Sequence, residues 1–123
     1  MKKILIIDDE PQILMVVGTR LKINGYAVVT ALTGEQGIEK AIKELPDMIL
    51  LDHVMPGMDG GEVLDCLKKN PVTKPIPVLM FTANVKEVKV GDVQRRGAED
   101  CLYKPYSSEQ LLSKVKEVLD KKS

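Results

Sequence analysis

The chain has 123 residues, of which 44% are hydrophobic, and its 18 basic side chains balance 18 acidic ones. A chain of this length can bury most of its surface around a single core, so we expect one domain over residues 1–123. Zero net charge without a basic block argues against a nucleic-acid interface, and the apolar runs are far shorter than the roughly 18 residues of a membrane span.

The first part of the chain predicts two strands and two helices in alternation. Residues 3–7 form the short apolar run of a buried strand, and apolar residues then recur at helical spacing over 11–23. Residues 26–31 are rich in β-branched side chains, which predicts a second strand. Thr33 can cap a second helix, which ends near residue 45.

The same alternation continues to the end of the chain. It predicts strands over 47–51, 75–81 and 100–103, and helices over 61–69, 85–96 and 107–120. Strands joined by single helices form a parallel sheet through right-handed crossovers, with helices on both faces. The sequence therefore predicts an α/β fold, a three-layer sandwich with a five-stranded parallel sheet and five helices.

The fourth predicted helix is rich in residues that disfavour helix. Val85, Val88, Val90 and Val93 are β-branched and Gly91 lies among them, at a cost of a few tenths to ~1 kcal/mol each. Packing on the sheet can offset such a cost. We expect this helix to have low stability.

The acidic residues and the cysteines indicate the cellular compartment. Lys2 and Lys3 precede an apolar run, as in a secretory signal, but the acidic residues 8–10 interrupt the run early. Cys66 and Cys101 are the two cysteines, and each is followed by a leucine. We expect a cytoplasmic chain with two reduced, mostly buried thiols.

Polar side chains follow four of the five predicted strands. Asp8 and Asp9 follow the first, Asp52 the third, Thr82 the fourth and Lys104 the fifth. Taken alone, Asp9 could be a helix N-cap, Asp52 a loop acid, Thr82 a turn hydroxyl and Lys104 a solvated charge. Because the carboxyl ends of parallel strands meet at one sheet edge, where open α/β sheets bind ligands, their convergence favours a site.

The residue types at this edge favour phosphoryl transfer to an aspartate. Crowded carboxylates repel one another, and protonation or a cation relieves the repulsion. Oxygen ligands suit Mg²⁺, whereas one histidine and two distant cysteines do not form a zinc site. A carboxylate beside Mg²⁺, a lysine and a hydroxyl can accept a phosphoryl group. Since no glycine-rich nucleotide motif is present, we expect a phosphorylated protein or a small phosphodonor to supply that group.

The sequence closely resembles the receiver domain of two-component response regulators, over essentially its whole length. The matching motifs are IIDDE at 6–10, LLD at 50–52, MPGMDG at 55–60, FTA at 81–83, GA at 97–98 and YKP at 103–105. Their order and their spacing both fit. The resemblance implies a flavodoxin-like sheet in the order 2-1-3-4-5 and a cis peptide bond between Lys104 and Pro105.

The resemblance also implies a role for each site residue. Asp52 would be the phosphoacceptor, and Thr82 and Lys104 would bind the phosphoryl oxygens. Mg²⁺ would be held by Asp9 directly, by Asp8 through water, by Asp52 and by the backbone carbonyl of Val54. The partners would be a sensor histidine kinase or phosphotransfer protein and a downstream protein target. The chain would then be a signalling switch and not an enzyme with a separate substrate, and a monomer when unphosphorylated.

Three positions depart from the usual receiver pattern or leave a role open. Receivers usually carry an aromatic residue three positions before the lysine, where this chain has Cys101, and Tyr103 on the same side of its strand is a candidate substitute. His53 follows Asp52 but faces the other way, which argues against general base catalysis. By the same resemblance, the side chains of Val54 and Asn84 would flank the route of a hydrolytic water. Val54 cannot orient that water, so the rate of dephosphorylation stays open.

The sequence has alternatives to a phosphorylated switch. A phosphohydrolase with a strand-one aspartate needs Asp-x-Asp-x-Thr/Val, which residues 8–12 do not supply. A receiver-like interaction module that is never phosphorylated is the main alternative, although the complete set of acidic, hydroxyl and lysine residues weakens it. The chain could also be an excised receiver domain of a larger regulator.

Overall fold

A computed structural model describes residues 1–82 and 89–122, the last without its side chain. The strands are β1 (Lys3–Ile7), β2 (Ala27–Ala31), β3 (Met48–Asp52), β4 (Val78–Thr82) and β5 (Asp100–Tyr103). The helices are α1 (Pro11–Ile23), α2 (Gly34–Glu44), α3 (Gly60–Lys69), α4 (Val90–Arg95) and α5 (Ser108–Lys122). None of the helices in the described part is long and apolar enough to cross a membrane.

The five strands form one parallel sheet in the order β2-β1-β3-β4-β5, which confirms the predicted fold and strand order. Ile7 pairs with Leu51, Asp52 with Phe81, and Thr82 with Tyr103. Every residue of β3 and β4 is buried, as continuous apolar strands covered on both faces require. The register brings the carboxyl ends of four strands to one edge of the sheet.

Successive residues of each strand enter opposite hydrophobic clusters. On one face, Ile7, Leu51 and Met80 join the core side chains of α2 and α3 and Val93 of α4. On the other face, Leu50 joins the core side chains of α1 and α5. The sheet therefore separates two cores, as the three-layer prediction required.

Local signals set the ends of several helices. The Thr33 hydroxyl accepts a hydrogen bond from the Gln36 amide, which confirms the predicted cap of α2. Asp59 and Glu62 form a reciprocal capping box at the start of α3. Helix α1 begins at Pro11 with Glu10 at its N-cap, so the alternative role of Asp9 as that cap is wrong. The Lys104–Pro105 peptide bond is cis, as the resemblance implied.

Two expectations have a different outcome in the structure. Cys101 is buried as expected, but Cys66 is exposed, so the prediction of a buried thiol is wrong there. The buried stripe of α3 contains Leu64 and Leu67, and position 66 lies on another side of the helix. For the fourth helix, residues 90–95 are helical, and Val85 and Val88 lie outside the described residues, so its predicted low stability stays a prediction.

Two helical glycines face the sheet at different distances, which gives a matched pair of substitutions. A Cβ added at Gly37 would lie 2.4 Å from Cδ1 of Ile7, whereas one at Gly18 would lie 3.5 Å from Cγ1 of Val28. We expect Gly37→Ala to lower the free energy of unfolding by ~1–2 kcal/mol, because overpacking outweighs the gain in helix propensity. Gly18→Ala should leave it equal or higher. Urea denaturation measures both, and equal effects of the two substitutions would contradict this packing.

Candidate functional site

The candidate site lies at the sheet edge where β3, β4 and β5 end. Lys104, directly after β5, points its Nζ at Oδ1 of Asp52, the last residue of β3, at 3.3 Å. The Lys104 backbone N–H donates to the Thr82 carbonyl at 2.7 Å, which holds the lysine beside the end of β4. The structure thus brings together Asp52, Thr82 and Lys104, the three residues expected to handle the phosphoryl group.

Asp52 is a largely buried carboxylate with specific donors around it. Its exposed fraction is 5%, and burial raises its pKa, an effect that the charge and hydrogen bond of Lys104 oppose. The Val54 backbone N–H also acts to lower the pKa of Asp52. Burial makes the ionised form costly, while the two donors favour it. The fold therefore partly stabilises the ionised form of Asp52, and a further cation would stabilise that form more.

A glycine lets α3 start close against the backbone of Asp52. A Cβ added at Gly60 would lie 2.3 Å from the Asp52 carbonyl oxygen, too close for any side chain. The Gly60 N–H donates to the His53 carbonyl at 2.9 Å, and the His53 N–H donates to the Phe81 carbonyl at 2.9 Å. The loop that follows Asp52 is therefore fixed at both of its ends. Sequence analysis did not single out Gly60, although it lies in the MPGMDG motif.

Three acidic side chains meet at the end of β1. Carboxylate oxygens of Asp8, Asp9 and Glu10 all lie within 4.8 Å of one another. Sequence analysis assigned Asp8 and Asp9 to a metal, and it missed Glu10 as a third nearby oxygen source. Asp52 acts on Asp8 through its charge. The predicted acidic residues are thus close enough to influence one another.

Asp8 is a buried carboxylate whose surroundings suit a bound cation. It is fully buried, and its Oδ1 accepts the Glu10 N–H at 2.9 Å. Its Oδ2 has no hydrogen-bond partner in the described part of the chain. Burial raises the pKa of Asp8 to about 6, and the charges of Asp52 and Asp9 add to this, while the Glu10 amide and Lys104 act against it. An unpartnered buried oxygen among carboxylates fits a hard divalent cation.

The expected backbone ligand lies on the loop after Asp52. The Val54 side chain is 71% exposed, so it does not shield the site from water. His53 is half-buried, and its backbone ties β3 to β4 and α3. Asn84, expected to flank the water route together with Val54, lies outside the described residues.

Cys101 and Tyr103 lie on the face of β5 that packs against α4. Both belong to or pack against the cluster that contains Val93, so their predicted common side is confirmed. The Tyr103 hydroxyl acts to lower the pKa of Cys101, and the Val90 N–H acts to lower the pKa of Tyr103. Burial raises the pKa of Cys101 to about 11, which keeps the thiol protonated at neutral pH. A role of Tyr103 in switching stays a prediction.

A groove leads away from Lys104 between α1 and the start of α5. Its volume is about 310 Å³. It is lined by Ile13, Val16, Val17, Arg20, Lys104, Pro105, Tyr106, Ser108 and Leu111. The Tyr106 ring stacks against Phe81 with centroids 5.3 Å apart and an angle of 37° between the ring planes. Sequence analysis missed Tyr106, and its position two residues after Lys104 was the available signal.

The chain belongs to the response regulator receiver domain family, whose model matches residues 4–116. It is 37% identical over 119 residues to Protein PilH of Pseudomonas aeruginosa, covering 97% of this chain and 98% of PilH. It is 38% identical over 118 residues to the alkaline phosphatase synthesis transcriptional regulatory protein PhoP of Bacillus subtilis, covering 96% of this chain and 48% of PhoP. The chain thus spans about half the length of PhoP and of similar transcriptional regulators.

Solved structures show the same fold. The chemotaxis protein CheY4 of Vibrio cholerae superposes with a TM-score of 0.89 at 34% identity, covering 96% of this chain and 98% of CheY4. A CheY-like receiver domain protein of Methanospirillum hungatei JF-1 superposes with a TM-score of 0.89 at 30% identity, covering 99% and 96% of the two chains. The resemblance noted in the sequence is therefore confirmed. Receiver domains of this family interact with histidine kinases and with downstream targets.

The raised pKa of Asp8 predicts a stability effect without metal. Because the pKa of Asp8 is about 6 in the folded chain against an ordinary value of 3.8, the ionised group destabilises the fold above about pH 6, and this penalty disappears below about pH 4. In a chelator near pH 7, Asp8→Asn should raise the free energy of unfolding by ~1–3 kcal/mol. The gain should shrink as the pH falls through about 6.

Urea denaturation at several pH values measures this effect. Asp9→Asn is the matched control, and we expect a smaller gain because Asp9 is only partly buried. A destabilised Asp8→Asn variant near pH 7 would show that the buried charge is compensated within the fold.

Proposed function

We propose that residues 1–123 are a receiver domain that accepts a phosphoryl group on Asp52 in a Mg²⁺-dependent reaction. The donor is the phosphohistidine of a sensor histidine kinase or of a phosphotransfer protein. The observation that carries the proposal is the 3.3 Å contact between Lys104 Nζ and the buried Asp52 carboxylate, beside the acidic cluster of Asp8, Asp9 and Glu10. Membership of the receiver family supports it.

Asp52 acts as the nucleophile in this proposal. A carboxylate oxygen of Asp52 attacks phosphorus, and a P–O bond forms while the P–N bond of the phosphohistidine breaks. The imidazole nitrogen keeps the electron pair of the broken bond. Lys104 stabilises Asp52 as an anion before the attack, which counters the effect of burial on its pKa.

Lys104 and Thr82 bind the transferred group. The lysine reaches the Asp52 carboxylate already, so its ammonium lies where negative charge accumulates on the phosphoryl oxygens. Thr82 is buried at the end of β4, and its backbone holds Lys104 through the 2.7 Å hydrogen bond. The Thr82 hydroxyl then donates to a phosphoryl oxygen of the modified Asp52.

The acidic residues would hold Mg²⁺ at this edge. We assign Asp9, Asp52 and the Val54 carbonyl as ligands, and Asp8 as a ligand through water. The unpartnered buried Oδ2 of Asp8 and the all-oxygen donor set support this assignment. When bound, Mg²⁺ neutralises the negative charge that the carboxylates and the phosphoryl group concentrate here.

The output of the domain is a changed protein-binding surface. A phosphoryl group adds charge and acceptor oxygens, which can shift a two-state element near it. Tyr103 pairs with Thr82 across the two strands and packs against the cluster that contains Val93 of α4, so a displacement at Thr82 has a route to that helix. We propose a cytoplasmic monomer that catalyses only its own phosphorylation and dephosphorylation, without contact to nucleic acid or membrane by this domain.

Intact mass after incubation with acetyl phosphate and Mg²⁺ tests the proposal. We expect a gain of one phosphoryl group in the wild type, and no gain in Asp52→Asn or with a chelator. Asp47→Asn, at the opposite end of β3, is the matched control and should be phosphorylated normally. A folded wild type that gains no mass would support the receiver-like interaction module that is never phosphorylated.

A further inference from the structure

Tyr106 lies on the same face of the sheet as the two buried carboxylates. Its ring stacks on Phe81, and Phe81 is the register partner of Asp52. Ile7 pairs with Leu51, so Asp8 follows β1 at the position beside Asp52. Leu50 and Phe81 belong to the cluster between the sheet, α1 and α5, and Tyr106 packs against that cluster. The Tyr106 ring therefore lies on the α1 and α5 side of the sheet, near the edge that carries Asp8 and Asp52.

The Tyr106 hydroxyl is a donor that lies near two anionic groups and has no acceptor among the described residues. It makes no hydrogen bond to any residue in the described ranges. Burial raises the pKa of Tyr106 to about 12, and the charges of Asp8 and Asp52 act in the same direction. The hydroxyl therefore keeps its proton at neutral pH and is available to donate.

Asp8 supplies the complementary acceptor. Its Oδ1 is occupied by the Glu10 N–H, and its Oδ2 is buried without a partner among the described residues. A buried acceptor and a half-buried donor that both lack partners each carry a desolvation cost, which a shared hydrogen bond or one bridging water removes. Phenylalanine would fill the same space against Phe81, so packing alone does not account for the hydroxyl.

We propose that Tyr106 is a positioning residue for Asp8: the Tyr106 hydroxyl donates through one bridging water to Oδ2 of Asp8 and so orients that carboxylate toward Mg²⁺. Carboxylates that serve metal sites are commonly held by such outer hydrogen bonds, which fix their orientation. The inference rests on the proposed Mg²⁺ site and adds a residue to it. Tyr106 lines the groove beside Lys104, which gives a water a path to this residue.

The test is the substitution Tyr106→Phe, which keeps the ring and removes only the hydroxyl. Mg²⁺ titrations followed by NMR chemical shifts give the affinity of the unphosphorylated chain, and acetyl phosphate gives the phosphorylation rate at saturating Mg²⁺. We expect Mg²⁺ binding about tenfold weaker, with the rate at saturating Mg²⁺ within about twofold of wild type. Tyr26→Phe is the matched control, because Tyr26 packs against the same cluster but precedes β2 at the other end of the sheet.

Several results would overturn the inference. Unchanged Mg²⁺ affinity in Tyr106→Phe would contradict it. If the affinity is unchanged and the phosphorylation rate at saturating Mg²⁺ falls, the hydroxyl acts at Asp52 and not at Asp8. A large drop in melting temperature in the presence of a chelator would assign Tyr106 a structural role instead. If the wild type neither binds Mg²⁺ nor gains a phosphoryl group, the proposed function itself is wrong. If the wild type does both and Tyr106→Phe behaves in the same way, only this inference is wrong.

Discussion

The site depends on the placement of negative charge at the ends of β1 and β3, whose other residues are apolar apart from Lys3. Asp8 and Asp52 are buried there, and burial is the largest influence on the pKa of each. Lys104 is the cation that the fold itself supplies to Asp52, at 3.3 Å, and it only partly offsets the cost of burial. The buried carboxylates thus lower the stability of the folded chain, and binding of a cation or a change in their charge can restore it.

Much of this arrangement was predictable because local patterns determine it. Continuous apolar runs such as residues 48–51 predicted buried parallel strands, and parallel strands deliver their end residues to one edge. The Thr33 cap of α2 was equally local. Sequence reasoning failed where side-chain direction or distant packing decides the outcome. Cys66 is flanked by a leucine but lies off the buried stripe of α3.

The missed residues have a common physical origin. Gly60 is required because α3 begins against the backbone of Asp52, a distance that depends on how the intervening loop folds. Tyr106 reaches the acidic edge because the turn after β5 returns it to Phe81 on the neighbouring strand. Glu10 joins Asp8 and Asp9 only because α1 starts directly after it. Each depends on contacts between elements, which no pattern within one element reports.

The two hydrophobic clusters have a consequence for how the chain can vary. Asp52, Phe81 and Tyr106 lie on the face of α1 and α5, whereas Cys101 and Tyr103 lie on the face of α4. Side chains in separate clusters share no partners, so substitutions on the two faces are expected to act additively. The cluster that faces α1 and α5 can therefore vary while the cluster that faces α4 is kept, and the reverse. A sheet one layer thick thus allows the two sides of the domain to change in sequence independently of each other.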